Sequence, residues 1–433
     1  MPMLKLLERT YIAVFRRYPM LLRMALVVVL AEVMFAVVNN YALSFYVLRD
    51  LGLPGRVLGI VISTFLITEM LLKFPAGHLS DRYGRRHFAT LGLAVCVGTP
   101  LAVCGLPTAA LALSPALLYA VLLPLRVVDG AGSAAVWPPL FASVPDHVPR
   151  EERGIAMSVM NTAYIVGLGL GPALAGMAMK VVRVAGHPHW AGKAPFALAA
   201  VFALAGAAVA WTLPAQRTHE EDEEGGSSSA LPPLRVIGVV IAVTFSNMFA
   251  IATLAPYLAP YLSQIGHIDP SDVGLLMLLL VLPAAALGMP IGHLTDRWEK
   301  RRVVQASLCV TALGLWIVPL APSLLLMGLS SLLVLFGFMF GLPAWLALIA
   351  DLAPQGGSGK VMGMMATAQG AGAALGPYVG GMMWDRDPSH QHLFFLAAGM
   401  LTVSSFIALA FIRRPPTAAR PVEAETPARS RRN

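Results

Sequence analysis

The hydrophobic pattern of this chain consists of long apolar stretches broken by short polar or charged segments. The stretches fall near 22–48, 56–76, 88–108, 115–144, 154–180, 194–213, 234–263, 272–291, 303–321, 323–350, 360–384 and 392–412. Each matches the roughly 20 residues that a helix needs to cross a bilayer core. The pattern predicts an all-α membrane protein with twelve transmembrane helices. The third and fourth helices are the hardest to divide, because 106–115 is itself apolar. Only 12% of the residues are charged and mean hydropathy is +0.71. Soluble domains carry about 25% charged residues, so no large soluble domain fits into this composition.

The polar segments repeat. Gly77-His-Leu-Ser-Asp-Arg-Tyr-Gly-Arg-Arg86 returns 215 positions later as Gly292-His-Leu-Thr-Asp-Arg-Trp-Glu-Lys-Arg301. A second block, Asp146 to Gly176, returns at an offset of 205 as Asp351 to Gly381, with Gly171-Pro172 matched by Gly376-Pro377. The repeats sit at equivalent places among the apolar stretches. The two halves therefore run in the same orientation, and parallel repeats of this kind mark transporter folds. The expected organisation is a six-helix half over 1–214, a linker over 215–233, a second half over 234–413 and a tail over 414–433. The linker carries five consecutive acids followed by Gly and Ser. It cannot bury a core, so it reads as a flexible cytoplasmic segment, and the tail as a disordered one.

Charge sets the expected orientation. With the N-terminus inside, the inner segments hold 22 Lys and Arg and the outer loops six. The positive-inside rule then places both termini in the cytoplasm. The same asymmetry accounts for the net charge of +8, so nucleic acid is not an implied partner. The first 20 residues are basic, but the apolar run after them is too long for a cleavable signal. Arg-rich, Ala-, Gly- and Pro-rich usage points to a bacterial inner membrane protein, expected as a monomer. Cys96 and Cys104 lie about 12 Å apart on one helix, too far for a disulfide. The pairs His187/His189 and His390/His392 lie in outer loops, and neither a metal site nor a cofactor is implied.

The loop Gly77-x-Leu-x-Asp81-Arg82-x-Gly84-Arg85-Arg86 resembles the helix 2–3 signature of the major facilitator superfamily, and the resemblance covers the full length. The second copy departs at Glu299, where Gly is usual. The resemblance implies an inner gate made by Gly77, Asp81, Arg82, Arg85 and Asp146 in one half, and by Asp296, Arg297, Arg301 and Asp351 in the other. Asp81 would dock at the start of helix 11, and Asp296 at the start of helix 5, where a helix N-terminus favours a carboxylate. Arg85 and Arg301 have Asp146 and Asp351 as expected partners. Gly167, Gly171, Pro172 and Gly176 of helix 5 resemble the antiporter-associated motif, with Ala175 in place of a glycine. Gly376, Pro377 and Gly380 repeat it in helix 11. Glycines let helices approach closely, and proline removes a helix hydrogen bond.

Ionisable residues at membrane depth point to function. Helix 4 holds Arg126 and Asp129, in a segment resembling a superfamily signature whose Arg is linked to proton coupling. Glu32 of helix 1 shares a face with Phe35 and Asn39. Glu32 is the expected proton carrier, with Arg126 biasing it and Asp129 as the other candidate. Glu69 and Lys73 read as a self-neutralising i, i+4 pair. Phe35, Asn39, Trp137, Asn161, Tyr164, Asn247, Tyr257, Tyr261, Trp345 and Gln369 are the expected cavity wall. Walls of this kind suit amphipathic small molecules. The expected function is export of such molecules coupled to protons by alternating access. The alternative is proton-coupled import of an organic anion or metabolite, with Arg126 holding a carboxylate. A membrane enzyme is remote, because no catalytic cluster or zinc motif occurs.

Overall fold

The computed structural model describes residues 17–106, 115–149, 152–214, 233–282, 298–352 and 358–411. All regular elements among them are helices. In the first half these are α1 (Pro19–Asp50), α2 (Gly55–Tyr83), α3 (Arg85–Gly105), α4 (Pro115–Ala142), α5 (Arg153–Val184) and α6 (Ala194–Trp211). In the second they are α7 (Leu234–Ile265), α8 (Pro270–Leu282), α9 (Lys300–Ile317), α10 (Leu324–Leu352), α11 (Ser358–Arg386) and α12 (His392–Phe411).

Ten helices among the described residues are long and apolar enough to cross a membrane. The expected twelve exceed this by two. The apolar α8 is short because its described part ends at Leu282. The other is α11, which has 29 residues but a Gly-rich sequence that includes Lys360, Gln369, Asp385 and Arg386. The expected linker, apart from Pro233, and the expected tail fall outside the described residues, as do Asp296, Arg297 and the 107–114 turn.

Local sequence explains the main junctions. Gly84 alone separates α2 from α3, at φ 97, a backbone region that only glycine enters without strain. The basic loop is thereby compressed into one residue. At the matching position of the second copy, Glu299 is extended at φ −62 and ψ 108, so a side chain is tolerated there. The first helix widens into π turns at Val38–Ala42 and Tyr46–Asp50. Such turns shift the angular register and recur at functional positions. This one contains both Asn39 and Tyr41.

Helix packing joins the halves through α2 with α11, α1 with α7, and α5 with α8. These seams are tight at one end of the bundle. That end, called distal here, carries the α1–α2, α5–α6, α7–α8 and α11–α12 connections. Gly59 of α2 lies against the Pro377 carbonyl and Gly274 of α8 against the Pro172 carbonyl, approaches that leave no room for a Cβ. At the proximal end, Phe74 of α2 is 86% exposed and a Cβ on Gly154 of α5 would meet nothing within 4 Å.

Candidate functional site

The first half holds a buried ionisable cluster at its centre. Arg126 of α4 is 1% exposed. Its Nη1 donates to Asp129 Oδ2 at 2.7 Å, one turn along the same helix. Its Nη2 donates to the Asn39 side-chain oxygen of α1. The guanidinium lies 4.4 Å from the Phe65 ring centroid of α2. Three helices thus share one charge, and the Arg126–Asp129 pair is internally neutral. Nε of Arg126 has no hydrogen-bond partner among the described residues. A buried donor left unpaired is costly, so it marks a place for water or a ligand oxygen.

Glu32 of α1 is equally buried but stands apart from that pair. Its carboxyl interacts with the nearby Tyr164 hydroxyl of α5, and the nearby charge acting on it is Glu69. The backbone of Gly167 in α5 comes against its Cβ, which only a glycine permits. The sequence reading paired Glu32 with Arg126. The structure gives Arg126 to Asp129 and Asn39 instead, and Asn39 lies in the π turn at Val38–Ala42. Glu69 is held at 2.7 Å by Lys73, the expected i, i+4 pair. Glu32 is therefore a buried carboxyl whose polar neighbour on α5 is a neutral hydroxyl. In a low-dielectric site the two charge states of such a group differ strongly in energy.

An aromatic wall borders the acid. Phe35 lies 5.9 Å from both Phe65 and Trp137, and Trp137 lies 5.5 Å from Tyr164. Phe141 continues it at 6.4 Å from Trp137. Across the bundle, Asn247, Gln369 and Trp345 line one small cleft, and Trp345 donates through Nε1 to Thr244 at 3.0 Å. Asn161 is exposed on α5. Two expected wall residues lie elsewhere. Tyr257 is wholly buried at the distal seam, with its hydroxyl 3.0 Å from the Gly55 carbonyl and 2.9 Å from the Pro377 carbonyl. Tyr261 packs its ring 4.5 Å from Phe394 of α12. Apolar periodicity identifies buried positions but does not tell a cavity wall from a helix seam.

At the proximal end, Arg85 donates to Asp146 at 2.6 Å, to Asp81 at 2.8 Å and to the Ala142 carbonyl. The Arg85–Asp146 partnership read from the repeat is present. Asp81 is expected at the start of α11, but here its carboxylate is held by Arg85 and its side chain is 56% exposed. Arg82 is exposed beside the Tyr83 ring. Gly77 of α2 faces Pro138 of α4 within the same half. In the second copy Arg301 is half-buried, with Nε unpartnered among the described residues, while the Asp351 side chain is outside them.

The distal end carries polar contacts that the sequence reading missed. Asp385 of α11 accepts from the Gly55 and Arg56 N–H groups at 2.5 and 3.1 Å, at the N-terminus of α2. Lys180 and Arg183 of α5 pair with Asp272 and Asp269 at 2.9 and 2.7 Å. Tyr41 donates to the Pro270 carbonyl. These cross-half bonds all lie at the distal end. The repeat itself marks Tyr41, which stands 216 positions before Tyr257. Among the described residues no group of three His, Cys, Asp or Glu could hold a metal. An apolar groove of about 770 Å³ lies outside this frame, between α5 and α6, lined by Met177, Val181, Trp190 and Val201 among others.

Known proteins place this geometry in context. The Major Facilitator Superfamily model matches residues 24–241 and again 240–432. Multidrug resistance protein 2 of Bacillus subtilis is 22% identical over 371 residues, covering 82% of this chain and 86% of its own. The hexuronate transporter of the same organism is 24% identical over 411 residues, covering 88% and 92%. Among solved structures, a D-xylose-proton symporter superposes with a TM-score of 0.73 at 18% identity, covering 90% of this chain and 97% of that one. The relatives are transporters rather than enzymes.

Proposed function

The chain belongs to the Major Facilitator Superfamily, and on that premise we propose that it exports amphipathic small molecules by proton antiport, through twelve membrane-spanning helices in two parallel six-helix halves. The observation that carries the coupling reading is Glu32, a buried carboxyl beside the Tyr164 hydroxyl and set against an aromatic wall. The Arg126–Asp129 pair is already neutral and has less reason to exchange a proton during each cycle. A protonated Glu32 crosses between inward- and outward-facing states as a neutral group, and substrate arriving on the other side displaces the proton. The Phe35, Phe65, Trp137 and Tyr164 surfaces supply adaptable contact to apolar bodies. The multidrug resistance relatives support drug-like cargo.

Alternating access needs two ends that close in turn. In this structure the distal end is closed. With both termini cytoplasmic, as the Lys and Arg distribution indicates, the cavity faces the cytoplasm of a bacterial inner membrane. The Asp81–Arg85–Asp146 cluster then sits on the open side. Asp81 is free to exchange Arg85 for the N-terminus of α11 when that side closes.

A second reading rests on Arg126. Its unpartnered Nε could receive one oxygen of a carboxylate substrate, and the hexuronate transporter is a relative of comparable coverage. Proton symport of an organic anion would follow. Transport into proteoliposomes under an imposed pH gradient separates the two. Antiport concentrates a lipophilic cargo in an acidic lumen, whereas symport concentrates an anion in an alkaline one.

A further inference from the structure

The distal closure follows the internal repeat residue by residue. Tyr41 of α1 reaches across to the Pro270 carbonyl at the start of α8. Tyr257 of α7 reaches across to the Gly55 carbonyl at the start of α2. The two tyrosines are 216 positions apart, and Gly55 and Pro270 are 215 apart. Each tyrosine is covered by a glycine from the next helix of the seam. A Cβ on Gly176 would meet the Ser271 carbonyl and the Tyr41 hydroxyl, and one on Gly381 would meet the Gly55 carbonyl and the Tyr257 hydroxyl. Gly176 and Gly381 are themselves repeat partners at the 205 offset. Below them, Gly274 seats on the Pro172 carbonyl and Gly59 on the Pro377 carbonyl. Even the charges correspond: Lys180 with Asp272 on one side matches Asp385 with Arg56 on the other, with the signs exchanged.

We propose that Tyr41 and Tyr257 are a matched pair of gating residues, one on each seam, whose hydroxyl-to-carbonyl bonds hold the distal end shut and must both break for the cavity to open there. Both side chains are fully buried, so water does not compete for these bonds while the end is closed. On opening, each hydroxyl and its carbonyl exchange a protein partner for water. A net hydrogen bond of ordinary strength is then worth about a fivefold shift in the open-to-closed ratio. The seams are separate, so two such bonds shift it about twenty-five-fold. Tyr257 has two carbonyls in reach but only one proton, so it gains no full second bond from Pro377. That leaves the two latches nearly equal in strength. The Gly-Pro segments of α5 and α11 take their place in the same device, since they let a tyrosine and a facing helix end reach their backbone. The pair governs access whichever way the cargo moves, and it does not depend on proton antiport.

The test reads conformation directly. Cys96, Cys104 and Cys309 are the free cysteines. With these replaced by alanine, spin labels go at Val184 on α5 and Gln264 on α7, both exposed near the distal end. Double electron–electron resonance in nanodiscs then measures the ratio of long to short separations. Tyr41→Phe and Tyr257→Phe should each raise that ratio about fivefold, and the double variant about twenty-five-fold. Tyr261→Phe, whose ring packs on Phe394 within one half, should leave it unchanged. Unchanged ratios in both single variants and the double would overturn the assignment. So would an effect carried wholly by one tyrosine, with the double no larger. If the phenylalanine variants do not fold, Gly59→Ala and Gly274→Ala press on the same seams. A long-distance shift from both supports the latch, and none from either refutes it.

Discussion

Asp387, in the connection between α11 and α12, shows how a single side chain can organise a loop. Burial pushes its carboxyl up, but hydrogen bonds from Ser389 Oγ and from the backbone N–H groups of His392, Ser389 and Gln391 outweigh that and hold it at about 2. The folded value lies below the ordinary 3.8. The stabilisation is therefore fully present above about pH 4 and is lost as pH falls towards 2. Asp387→Asn should lower stability by about 1–3 kcal/mol at neutral pH. Thermal unfolding in detergent should show the gap to wild type closing as pH drops from 4 to 2. A gap that stays constant over that range would contradict the role. Residue-scale legibility was uneven. Glu32, Arg126 and Asp129 stand out as charges inside apolar runs, and the structure buries all three. Their partnerships were not readable, because they join side chains on helices far apart in sequence, as Arg126 of α4 does with Asn39 of α1.

At the scale of elements, glycines decide how near the helices come. Gly130 of α4 lies so close to α2 that a Cβ there would be 2.6 Å from the Phe65 carbonyl and 2.7 Å from Thr68 Cβ. Phe65 in turn lies under the Arg126 guanidinium. Gly130→Leu should push α2 and α4 apart, with the cost of an overpacked core, about 1–3 kcal/mol. A lowered unfolding temperature together with weakened transport would bear this out, and wild-type stability would refute it. Helix positions were largely legible, since lipid demands long apolar helices. The cross-half contacts were not. Tyr41 and Tyr257 bond to backbone carbonyls, and a carbonyl leaves no mark in sequence. Only the recurrence of the tyrosines at the repeat spacing hints at it.

At the scale of the whole molecule, α1–α6 meet α7–α12 through α1, α2, α5, α7, α8 and α11. Each half forms its own packing among its helices, so the segment between them should serve as a connection only. Cutting the chain between Gly225 and Ser229 and co-expressing the fragments should preserve transport, measured as substrate flux in membrane vesicles. Stable insertion of both fragments without flux would assign the linker a further role. The two repeated blocks are what the expectation of a parallel duplication rests on. The closed distal end was not legible, because its tyrosines bond to backbone carbonyls.

On the proposed mechanism, Glu32 couples cargo export to proton entry. The most direct test is uptake of a lipophilic fluorescent substrate by proteoliposomes with an acidic lumen, for wild type and Glu32→Gln side by side. Wild type should concentrate the substrate in the acidic lumen as protons leave. Glu32→Gln should lose that gradient-driven accumulation while still exchanging substrate down its own gradient. Full proton-driven accumulation by Glu32→Gln would exclude Glu32 as the proton carrier, and wild-type accumulation only with an alkaline lumen would exclude antiport.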